Sequence, residues 1–427
     1  MRICLVYDCL YPHTVGGAER WYRALAEALD GAGHEVTYLT RRQWPVGSQP
    51  DAPRGTRVIA VSPGGPLYTS DGRRSIGAPL RFGVGVLRHL EAHGDRYDAV
   101  HTASFPYFSL LAAAAAPGRG QARAGRGRRT GAGGRARYRL VVDWHELWTR
   151  EYWSEYLGPV GGGVGWLVQR ACLAVPQRAF CFSRLHERRL REEGLRGPLT
   201  VLEGEYAGSK SPPVRPRAVE PLVVFAGRHI PEKRVPALVP ALALARERIP
   251  GLRAEILGAG PDSERVRELV AEYELGDVVA LRGFVSPEEV EDALGRAMCM
   301  VLPSRREGYG VIVVEAAAAG TPSVVVLDED NAATELVEEG VNGVVAPSVA
   351  AADLAEAIVR VHAGGAEMRA STGDWYRRNA ARLSLGNSLE AVVGAYGYAA
   401  ITAGEGGPVP GADITSNAAI RDLMDAD

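Results

Sequence analysis

The sequence has few cysteines, almost no lysine and no long apolar run. Its five cysteines (4, 9, 172, 181 and 299) are odd in number and form no Cys-x-x-Cys pair, which argues against disulfides and structural zinc and favours a reducing cytoplasm. No apolar run approaches the roughly 18 residues of a membrane-spanning helix. Because residues 1–6 lead straight into polar turn residues, no secretory signal is predicted. The rest, 46% hydrophobic and 23% charged over 427 residues, is typical of a globular protein of two to three domains.

The small net charge of −2 conceals a division between the two halves. Residues 1–217 carry 31 basic and 19 acidic side chains, whereas residues 218–427 carry 18 and 32. Eight of the basic residues lie between Arg119 and Arg139, in a stretch of Arg, Gly and Ala without acids. We interpret 117–139 as a solvated low-complexity loop, with a basic loop for an anionic acceptor or a membrane as the alternative. The division therefore indicates a domain boundary, and no nucleic-acid partner is predicted.

Strand-like and helix-like segments alternate along both halves of the chain. Short β-rich runs at 2–7, 35–40, 57–61, 98–102, 140–143 and 179–183 are mostly separated by helical patterns, and the alternation restarts at 222 after a Pro-rich stretch. Such alternation predicts an α/β protein with two doubly wound, Rossmann-like domains. The predicted organisation is a domain over 1–208, a linker over 209–219, a second domain over 220–370, helices over 371–402 that return to the first domain, and a disordered tail over 403–427. Since ligands bind beyond the carboxyl ends of such strands, we expect the two sheets to face each other across a cleft.

The stretch from Pro303 to Ala316 is the most informative about function. A strand ends at Leu302, a glycine-containing loop follows, and a helix begins near Val311. The amides of a first helical turn, together with the helix dipole, bind anions. Glu307 and Glu315 flank this helix start, and two acids with an anion between them suit a nucleotide sugar. The alternative is a capping acid and a solvated helix acid.

At this point the sequence resembles the family-4 retaining glycosyltransferases of GT-B fold (glycosyl transferases group 1). The resemblance rests on Glu307-(x7)-Glu315 with its intervening glycines, and on five further segments: Gly16–Glu19, Phe225–Lys233, Ile256–Pro261, Leu281–Val285 and Glu335–Gly343. It is dense over 222–347 and thin over 1–217. It implies a GT-B fold and hexosyl transfer without a bound metal.

The resemblance also implies residue roles. Arg228 and Lys233 would hold the donor diphosphate, Glu307 the transferred sugar and Glu315 the ribose. Main-chain atoms fill the remaining roles: those of Gly308, Tyr309, Gly310 and Val311 near phosphate, those of Gly283, Phe284 and Val285 at the base, and those of Gly16 and Gly17 closing on the phosphates from the first domain. One observation is independent of the family. Of the 49 basic residues 47 are arginine, so Lys233 indicates a site that requires a compact charge; the alternative is chance, because the other lysine, Lys210, lies in the linker.

Histidine residues at two strand ends compete for a catalytic role in the first domain. By resemblance His145 takes the position near the donor sugar and the attacking hydroxyl, and His101 is its competitor. Four tryptophans (144, 148, 153 and 166) crowd the same region; we interpret them as packing aromatics, with an acceptor-pocket wall or a membrane contact as alternatives. Asp328-Glu329-Asp330 resembles a metal-binding motif but falls in a turn of the family pattern, so no metal ligands are predicted.

The predicted function is a bacterial, cytoplasmic, retaining glycosyltransferase with catalytic residues His145, Glu307, Arg228 and Lys233. It would use a nucleotide-diphosphate sugar, UDP-linked in the first instance, as co-substrate and no other cofactor. The acceptor would be a hydroxyl of a small molecule or glycan. The alternatives are a peripheral enzyme at the inner membrane face with a lipid acceptor and weak membrane-surface contact, and a non-catalytic nucleotide-sugar-binding protein.

Overall fold

The chain forms two compact units in the computed structural model, which describes residues 1–65, 77–116, 138–208 and 219–401, with side chains to residue 396. One unit contains residues 1–182, 186–202 and those from 388 onwards, and the other contains residues 183–185 and 203–387. The predicted low-complexity loop as far as residue 137, the linker over 209–218 and the tail from 403 lie outside the described residues.

The first unit contains a parallel sheet of seven strands in the order β3-β2-β1-β4-β5-β6-β7. The strands are β1 Arg2–Val6, β2 Glu35–Arg41, β3 Thr56–Ser62, β4 Ala99–Ala103, β5 Arg139–Trp144, β6 Arg178–Cys181 and β7 Leu199–Val201. The central strands are buried on both faces, which explains why they read as nearly continuous apolar runs. The chain moves outward from β1 to β3 and restarts at β4 on the other side, so the sheet has its topological switch point between β1 and β4.

Helices alternate with these strands as the sequence predicts. They are α1 Gly17–Gly31, α2 Gly77–His93, α3 Tyr107–Ala115, α4 Arg150–Ala174 and α5 Arg184–Glu192. Helix α4 is broken at Gly158, whose φ of 76° no helix accommodates, and Pro159 follows directly.

The second unit contains a parallel sheet of six strands in the order β10-β9-β8-β11-β13-β15. The strands are β8 Leu222–Ala226, β9 Arg253–Leu257, β10 Val279–Gly283, β11 Cys299–Leu302, β13 Ser323–Val326 and β15 Gly343–Ala346. Its switch point lies between β8 and β11, which pair in parallel. A separate two-stranded sheet joins β12 Arg306–Glu307 to β14 Asp330–Asn331.

The helices of the second unit are α6 Leu238–Arg246, α7 Ser263–Glu272, α8 Pro287–Arg296, α9 Val311–Ala318 and α10 Ala351–Leu383. Helix α11, Leu385–Ile401, follows directly. The predicted helix near 332–338 is a short 3₁₀ helix, Ala332–Leu336. The predicted strands omitted β7 and β15, which are edge strands, and β12 and β14, which have two residues each and form a separate sheet.

The structure corrects the predicted domain boundary at residue 370. Residues up to 387 belong to the second unit, and the two helical stretches predicted at 352–362 and 375–398 are in fact α10, broken at Gly365, and α11. The part of α10 after the break is held to the second unit by Arg369, which donates to the carbonyls of Gly295 and Ala297 and to Thr321 Oγ1. Farther along, the amide of Tyr206 donates to the carbonyl of Leu383 and the amide of Leu385 donates to the carbonyl of Tyr206, so the chain stays with the second unit to residue 387, 17 residues later than expected.

Candidate active site

Two loops meet at the switch point of the second sheet. The loop after β8 carries Arg228 and ends in a 3₁₀ turn, Pro231–Lys233, while the loop after β11 leads into β12. The amide of Arg305 donates to the carbonyl of Glu232 at 2.8 Å, which joins the two loops through the main chain. The carboxyl ends of neighbouring strands on either side of a switch point are where α/β sheets bind ligands.

This contact places Lys233 and Glu307 side by side. The ammonium group of Lys233 donates to Glu307 Oε1 in a hydrogen-bonded ion pair, although the two residues are 74 positions apart. The Lys233 side chain is 20% exposed and that of Glu307 only 9%, so solvent screens the pair weakly. Arg228, on the same loop, is exposed. Two of the predicted donor residues therefore touch, and a third lies on the same loop as Lys233.

Glu307 lies in strand β12, a correction to the loop predicted there. Its neighbour Arg306 forms an ion pair with Asp330 on β14 at 3.6 Å, and both side chains are buried. Asn331 fixes the turn beyond: its side-chain NH₂ donates to the carbonyls of Ser304 (3.2 Å) and Val326 (2.8 Å), and its oxygen accepts from the amide of Ala333 (3.1 Å). This buried scaffold holds the backbone that carries Glu307.

The same contacts explain the acidic run that resembles a metal motif. Asp330 pairs with Arg306, and Asp328 pairs with Arg234 at 3.0 Å, so each of the two aspartates has an arginine partner of its own. In the described parts of the chain, no three His, Cys, Asp or Glu side chains converge as metal ligands would. Metal-independent transfer itself stays a prediction.

Helix α9 begins at the predicted position. Its N-cap is Gly310, with φ 98° and ψ 48°, a conformation that strongly favours glycine, and a Cβ there would lie 2.6 Å from the Cβ of Ala333. Tyr309 turns its side chain inward, and its hydroxyl donates to the carbonyl of Glu203 at 2.6 Å. Tyr309 thus packs with its side chain, and it is the main chain of 308–311 that forms the helix start. Glu315 lies about one turn into α9, half-buried, and its charge contributes, after burial, to raising the pKa of Tyr206 to about 12.

The residues predicted at the base lie farther along the sheet. Gly283, with φ 65°, ends β10, which is the edge strand and two strands away from β8. Phe284 is 80% exposed. Close main-chain contacts at Gly258 connect the ends of β8, β9 and β10. A Cβ on Gly258 would lie 1.9 Å from the carbonyl oxygen of Gly227, and the Gly258 amide donates to the carbonyl of Gly283 at 2.6 Å. The role of 283–285 stays a prediction.

Two buried polar atoms beside the switch point escaped sequence reasoning. Ser304 Oγ and His229 Nε2 are inaccessible and have no hydrogen-bond partner among the described residues, although His229 Nδ1 bonds Ser263 Oγ at 2.9 Å. Burial also lowers the pKa of His229, so the ring is neutral at pH 7. Unsatisfied buried polar atoms are costly and uncommon, which makes them a signal of a polar ligand. In the sequence, the one indication of Ser304 and His229 is that each lies shortly after the end of a strand.

In the first unit, Gly16 and Gly17 begin helix α1. Gly16 is extended, and a Cβ on it would lie 2.4 Å from Glu19 Oε2, whereas Gly17 has open space around its Cα. Glu19 also accepts from the hydroxyl of Tyr7 at 3.3 Å. Because that carboxylate is the end of a flexible side chain and Gly16 is extended, the contact by itself does not require glycine at position 16. A role in closing on phosphates stays a prediction.

The two competing histidines have different environments. His101 is fully buried and bonded to Asp143 at 2.8 Å. His145 follows β5, stacks on Phe182 with ring centroids 4.5 Å apart, and has a buried Nε2 with no hydrogen-bond partner among the described residues. Burial lowers its pKa to about 4, the charge of Asp143 opposing and that of His101 adding to the shift. His145 is therefore neutral at pH 7.

The tryptophan cluster is mostly core. Trp144 and Trp153 are buried in one apolar cluster, and Trp148 and Trp166 pack against it. Gln169, fully buried, accepts from Trp153 Nε1 at 3.1 Å. The packing interpretation of these aromatics is confirmed for the two buried rings. Among the described helices, none combines the length and apolar character that crossing a bilayer requires.

Two family models match adjacent parts of this chain: "Glycosyl transferase 4-like domain" over residues 16–203 and "Glycosyl transferases group 1" over residues 210–375. The chain belongs to the family-4-like glycosyltransferases of GT-B fold. The predicted family and fold class are thus confirmed, with two parallel-sheet, Rossmann-like domains.

Relatives and solved structures of this glycosyltransferase family agree. A glycogen synthase of Mycobacterium tuberculosis is 27% identical over 344 residues, 76% of this chain and 77% of the relative. Sucrose-phosphate synthase from Thermosynechococcus elongatus superposes with a TM-score of 0.72 at 22% identity, covering 94% of this chain and 99% of that one. Anabaena HepE in complex with UDP and glucose gives a TM-score of 0.66 at 17% identity, covering 93% and 100%. Three further curated relatives are 30–33% identical over about a third of this chain, and the chain spans only 15–38% of their length.

Proposed function

We propose that this protein is a retaining glycosyltransferase that moves a sugar from a UDP-sugar to a hydroxyl group of a small molecule or glycan, without a metal. The observation that carries the proposal is the Lys233–Glu307 pair at the switch point of the second sheet, just before the start of α9. The UDP in the Anabaena neighbour supports a uridine donor. Five cysteines that are all buried thiols support a reducing cytoplasm.

In the proposed complex, Lys233 and Arg228 stabilise the diphosphate. Negative charge grows on the leaving diphosphate as the glycosidic bond breaks, and a fixed ammonium in a partly dry site stabilises it more than water does. The main chain of 309–311 adds the positive end of α9. Removing one such donor typically costs about 10²–10³ in rate.

The two acids serve as binding groups. Glu307 would accept hydrogen bonds from hydroxyls of the transferred sugar, and its scaffold of Arg306, Asp330 and Asn331 keeps it in place. Glu315 would accept those of the ribose. Lys233 bonds Glu307 in the absence of a ligand, so a bound donor would accept from the ammonium group of Lys233 while its sugar hydroxyls donate to Glu307. Lys233 and Glu307 would then both contact the donor where the phosphate joins the sugar.

Retention would follow a front-face route. The bond from the anomeric carbon to the diphosphate oxygen breaks, the acceptor oxygen bonds the same face of that carbon, and the acceptor proton goes to the leaving phosphate oxygen. Neutral His145 suits a hydrogen bond to the sugar or the acceptor better than it suits proton transfer, because its pKa is about 4. No side chain is required as a nucleophile.

The test compares two glutamate–base pairs of the same unit. Glu307→Gln and Lys233→Ala should each abolish transfer from UDP-sugars while the protein stays folded. The matched controls are Glu356→Gln and Arg248→Ala, which break an exposed pair on α10 and after α6. Exposed pairs contribute little, so these controls should keep wild-type turnover and stability. Wild-type turnover in either site variant would overturn the assignment.

The donor is tested separately by ligand stabilisation. Binding to the folded state alone raises the unfolding temperature by mass action, so UDP-, GDP- and dTDP-sugars can be ranked at equal concentrations. UDP-sugars should give the largest shift. A shift without turnover on any acceptor would instead favour a non-catalytic sugar-nucleotide binder.

A lipid acceptor is the second candidate, because of one groove in the first unit. It lies between β3 and α2, has a volume of about 650 Å³, and its charged lining is basic: Arg81 and Arg88, with His89 and His93 beside them. Exposed Leu80 and Val84 line it too. Co-sedimentation with phosphatidylglycerol vesicles at low salt, lost in Arg81→Glu/Arg88→Glu, would favour this candidate; equal recovery with phosphatidylcholine vesicles would not.

A further inference from the structure

A buried chain of hydrogen bonds in the first unit connects the last helix to strand β5. Tyr396 on α11 bonds His101 Nδ1 at 2.8 Å, and His101 Nε2 bonds Asp143 Oδ1 at 2.8 Å. The second oxygen of Asp143 accepts from Trp21 Nε1, also at 2.8 Å. All four side chains are at most 3% exposed. We call this set, Tyr396, His101, Asp143 and Trp21, the buried relay.

The proton positions in the buried relay follow from its charges. Burial alone would raise the pKa of Asp143, but the charge and hydrogen bond of His101, with His145 and Trp21, hold it below its usual value, so the carboxylate is ionised. Burial and the charge of Asp143 raise the pKa of Tyr396 well above its usual value, so the phenol keeps its proton. Because an ionised carboxylate can only accept, Nε2–H of His101 donates to Asp143, and the hydroxyl of Tyr396 bonds the other ring nitrogen, Nδ1. The His101 ring is therefore held at both nitrogens.

The buried relay reaches His145 through rings. Asp143 lies two residues before His145 at the end of the same strand. Trp21, which donates to Asp143, meets Phe182 edge-on at 5.1 Å, and Phe182 stacks on His145 with an interplanar angle of 6°. Tyr22 touches both histidines, with centroid distances of 6.2 Å to His101 and 6.3 Å to His145. The imidazole of His145 is thus oriented by side chains that the buried relay holds.

We propose that Tyr396 is a positioning residue for His145, acting through His101 and Asp143 from a helix near the end of the described chain. This inference rests on the proposed glycosyl transfer, in which His145 faces the reacting sugar. Tyr396 touches no substrate; its hydroxyl holds the ring of His101, and His101 holds the carboxylate that Trp21 bonds, beside the Phe182–His145 stack. A small misplacement of a reacting group typically costs more in turnover than in binding.

The experiment removes one hydroxyl and leaves the ring. In Tyr396→Phe, kcat should fall about tenfold while KM for the UDP-sugar stays within about twofold, because most of the proposed donor contacts, those of Arg228, Lys233, Glu307 and Glu315, lie in the second unit. The matched control is Tyr138→Phe, which also deletes a buried hydroxyl of the first unit, one that donates to the carbonyl of Ala113 at 2.5 Å. The control should lose comparable stability and keep wild-type kcat.

Nitrogen NMR of ¹⁵N-histidine-labelled full-length protein provides a readout independent of turnover. In the wild type, Nε2 of His101, which faces the ionised Asp143, should be protonated. Tyr396→Phe should change the His101 signals and those of His145, and Trp21→Phe, which removes the other hydrogen bond to Asp143, should change His145 as well. Tyr138→Phe should change neither.

The outcomes separate this inference from the function on which it rests. Wild-type kcat in Tyr396→Phe, an equal loss of kcat in Tyr138→Phe, or His145 signals unmoved in both Tyr396→Phe and Trp21→Phe would overturn the positioning role. If the wild type transfers sugar from no nucleotide donor, the proposed function fails, and the His145 signals alone decide the relay.

Discussion

Replacing Gly310 with alanine tests the claim that the start of α9 is built for a ligand. The residue has φ 98°, where a side chain adds strain of about 1–2 kcal/mol. The new Cβ would also lie 2.6 Å from the Cβ and 3.2 Å from the Cα of Ala333, which is fully buried and cannot move cheaply. Overpacking of this kind costs about 1–3 kcal/mol more, so Gly310→Ala should destabilise the protein by about 2–5 kcal/mol in total.

Gly320→Ala is the matched control, at the opposite end of the same helix. Gly320 has φ 73°, but a Cβ there meets nothing within 4 Å, so only the strain of about 1–2 kcal/mol applies. Urea unfolding followed by circular dichroism gives both losses, and calorimetric titration with UDP gives the donor affinity. Only Gly310→Ala should weaken UDP binding. Equal destabilisation of the two variants, or undiminished UDP affinity in Gly310→Ala, would refute the reasoning.

Three further predictions concern stability and pH. Arg369→Ala should lower the free energy of unfolding by about 2–4 kcal/mol, because carbonyls at the ends of α8 and α9 lose their buried donor. Arg369→Lys should recover only part of this loss, because one ammonium group cannot reach all of these carbonyls. Thermal unfolding measures the stability of both variants, and full recovery by lysine would contradict the prediction. Asn331→Ala should lower the free energy of unfolding by about 2–4 kcal/mol and reduce the rate of sugar transfer, because three buried hydrogen bonds behind Glu307 are lost. A variant of wild-type stability would show that these bonds are not needed to hold Glu307. His145→Phe should reduce the loss of stability at acid pH. In the wild type the folded pKa of about 4 lies below the unfolded value of about 6.5, so stability falls as the pH drops from 6.5 towards 4, by about 2 kcal/mol at pH 4.5, and the variant lacks this loss. Urea unfolding followed by tryptophan fluorescence at pH 7 and 4.5 measures the difference, and parallel profiles of the two proteins would contradict the burial of His145.

The elements that the sequence predicted well are those set by local rules. The start of α9 at Val311 follows from a glycine that permits a left-handed turn after a buried strand, and both features lie within a few residues. The alternation of apolar strands and amphipathic helices similarly fixed two parallel sheets, because strands buried on both faces must be apolar throughout. The elements that were missed, such as β12 and β14, consist of two residues each and exist only because the chain brings them together.

Domain boundaries depended on contacts that no local pattern encodes. The break of α10 at Gly365 has a glycine as its signal, yet the following segment is attached to the second unit by Arg369, whose partners are 48 to 74 positions away, and by main-chain bonds of Leu383 and Leu385 with Tyr206. A change in amino-acid composition along the chain can indicate a linker between domains. It does not indicate which of the two units a later helix packs against.

The sequence by itself determined which residue types stand at the strand ends: one of the two lysines of an arginine-rich chain, two glutamates around a helix start, and two histidines that it could not tell apart. Only the tertiary structure decided that Lys233 pairs with Glu307, that Asp330 belongs to Arg306, and that His101 is bonded on both nitrogens, whereas Nε2 of His145 has no partner among the described residues. The physical reason is that strand and helix patterns come from interactions over a few residues, whereas charge pairing and burial depend on neighbours that folding brings from far along the chain.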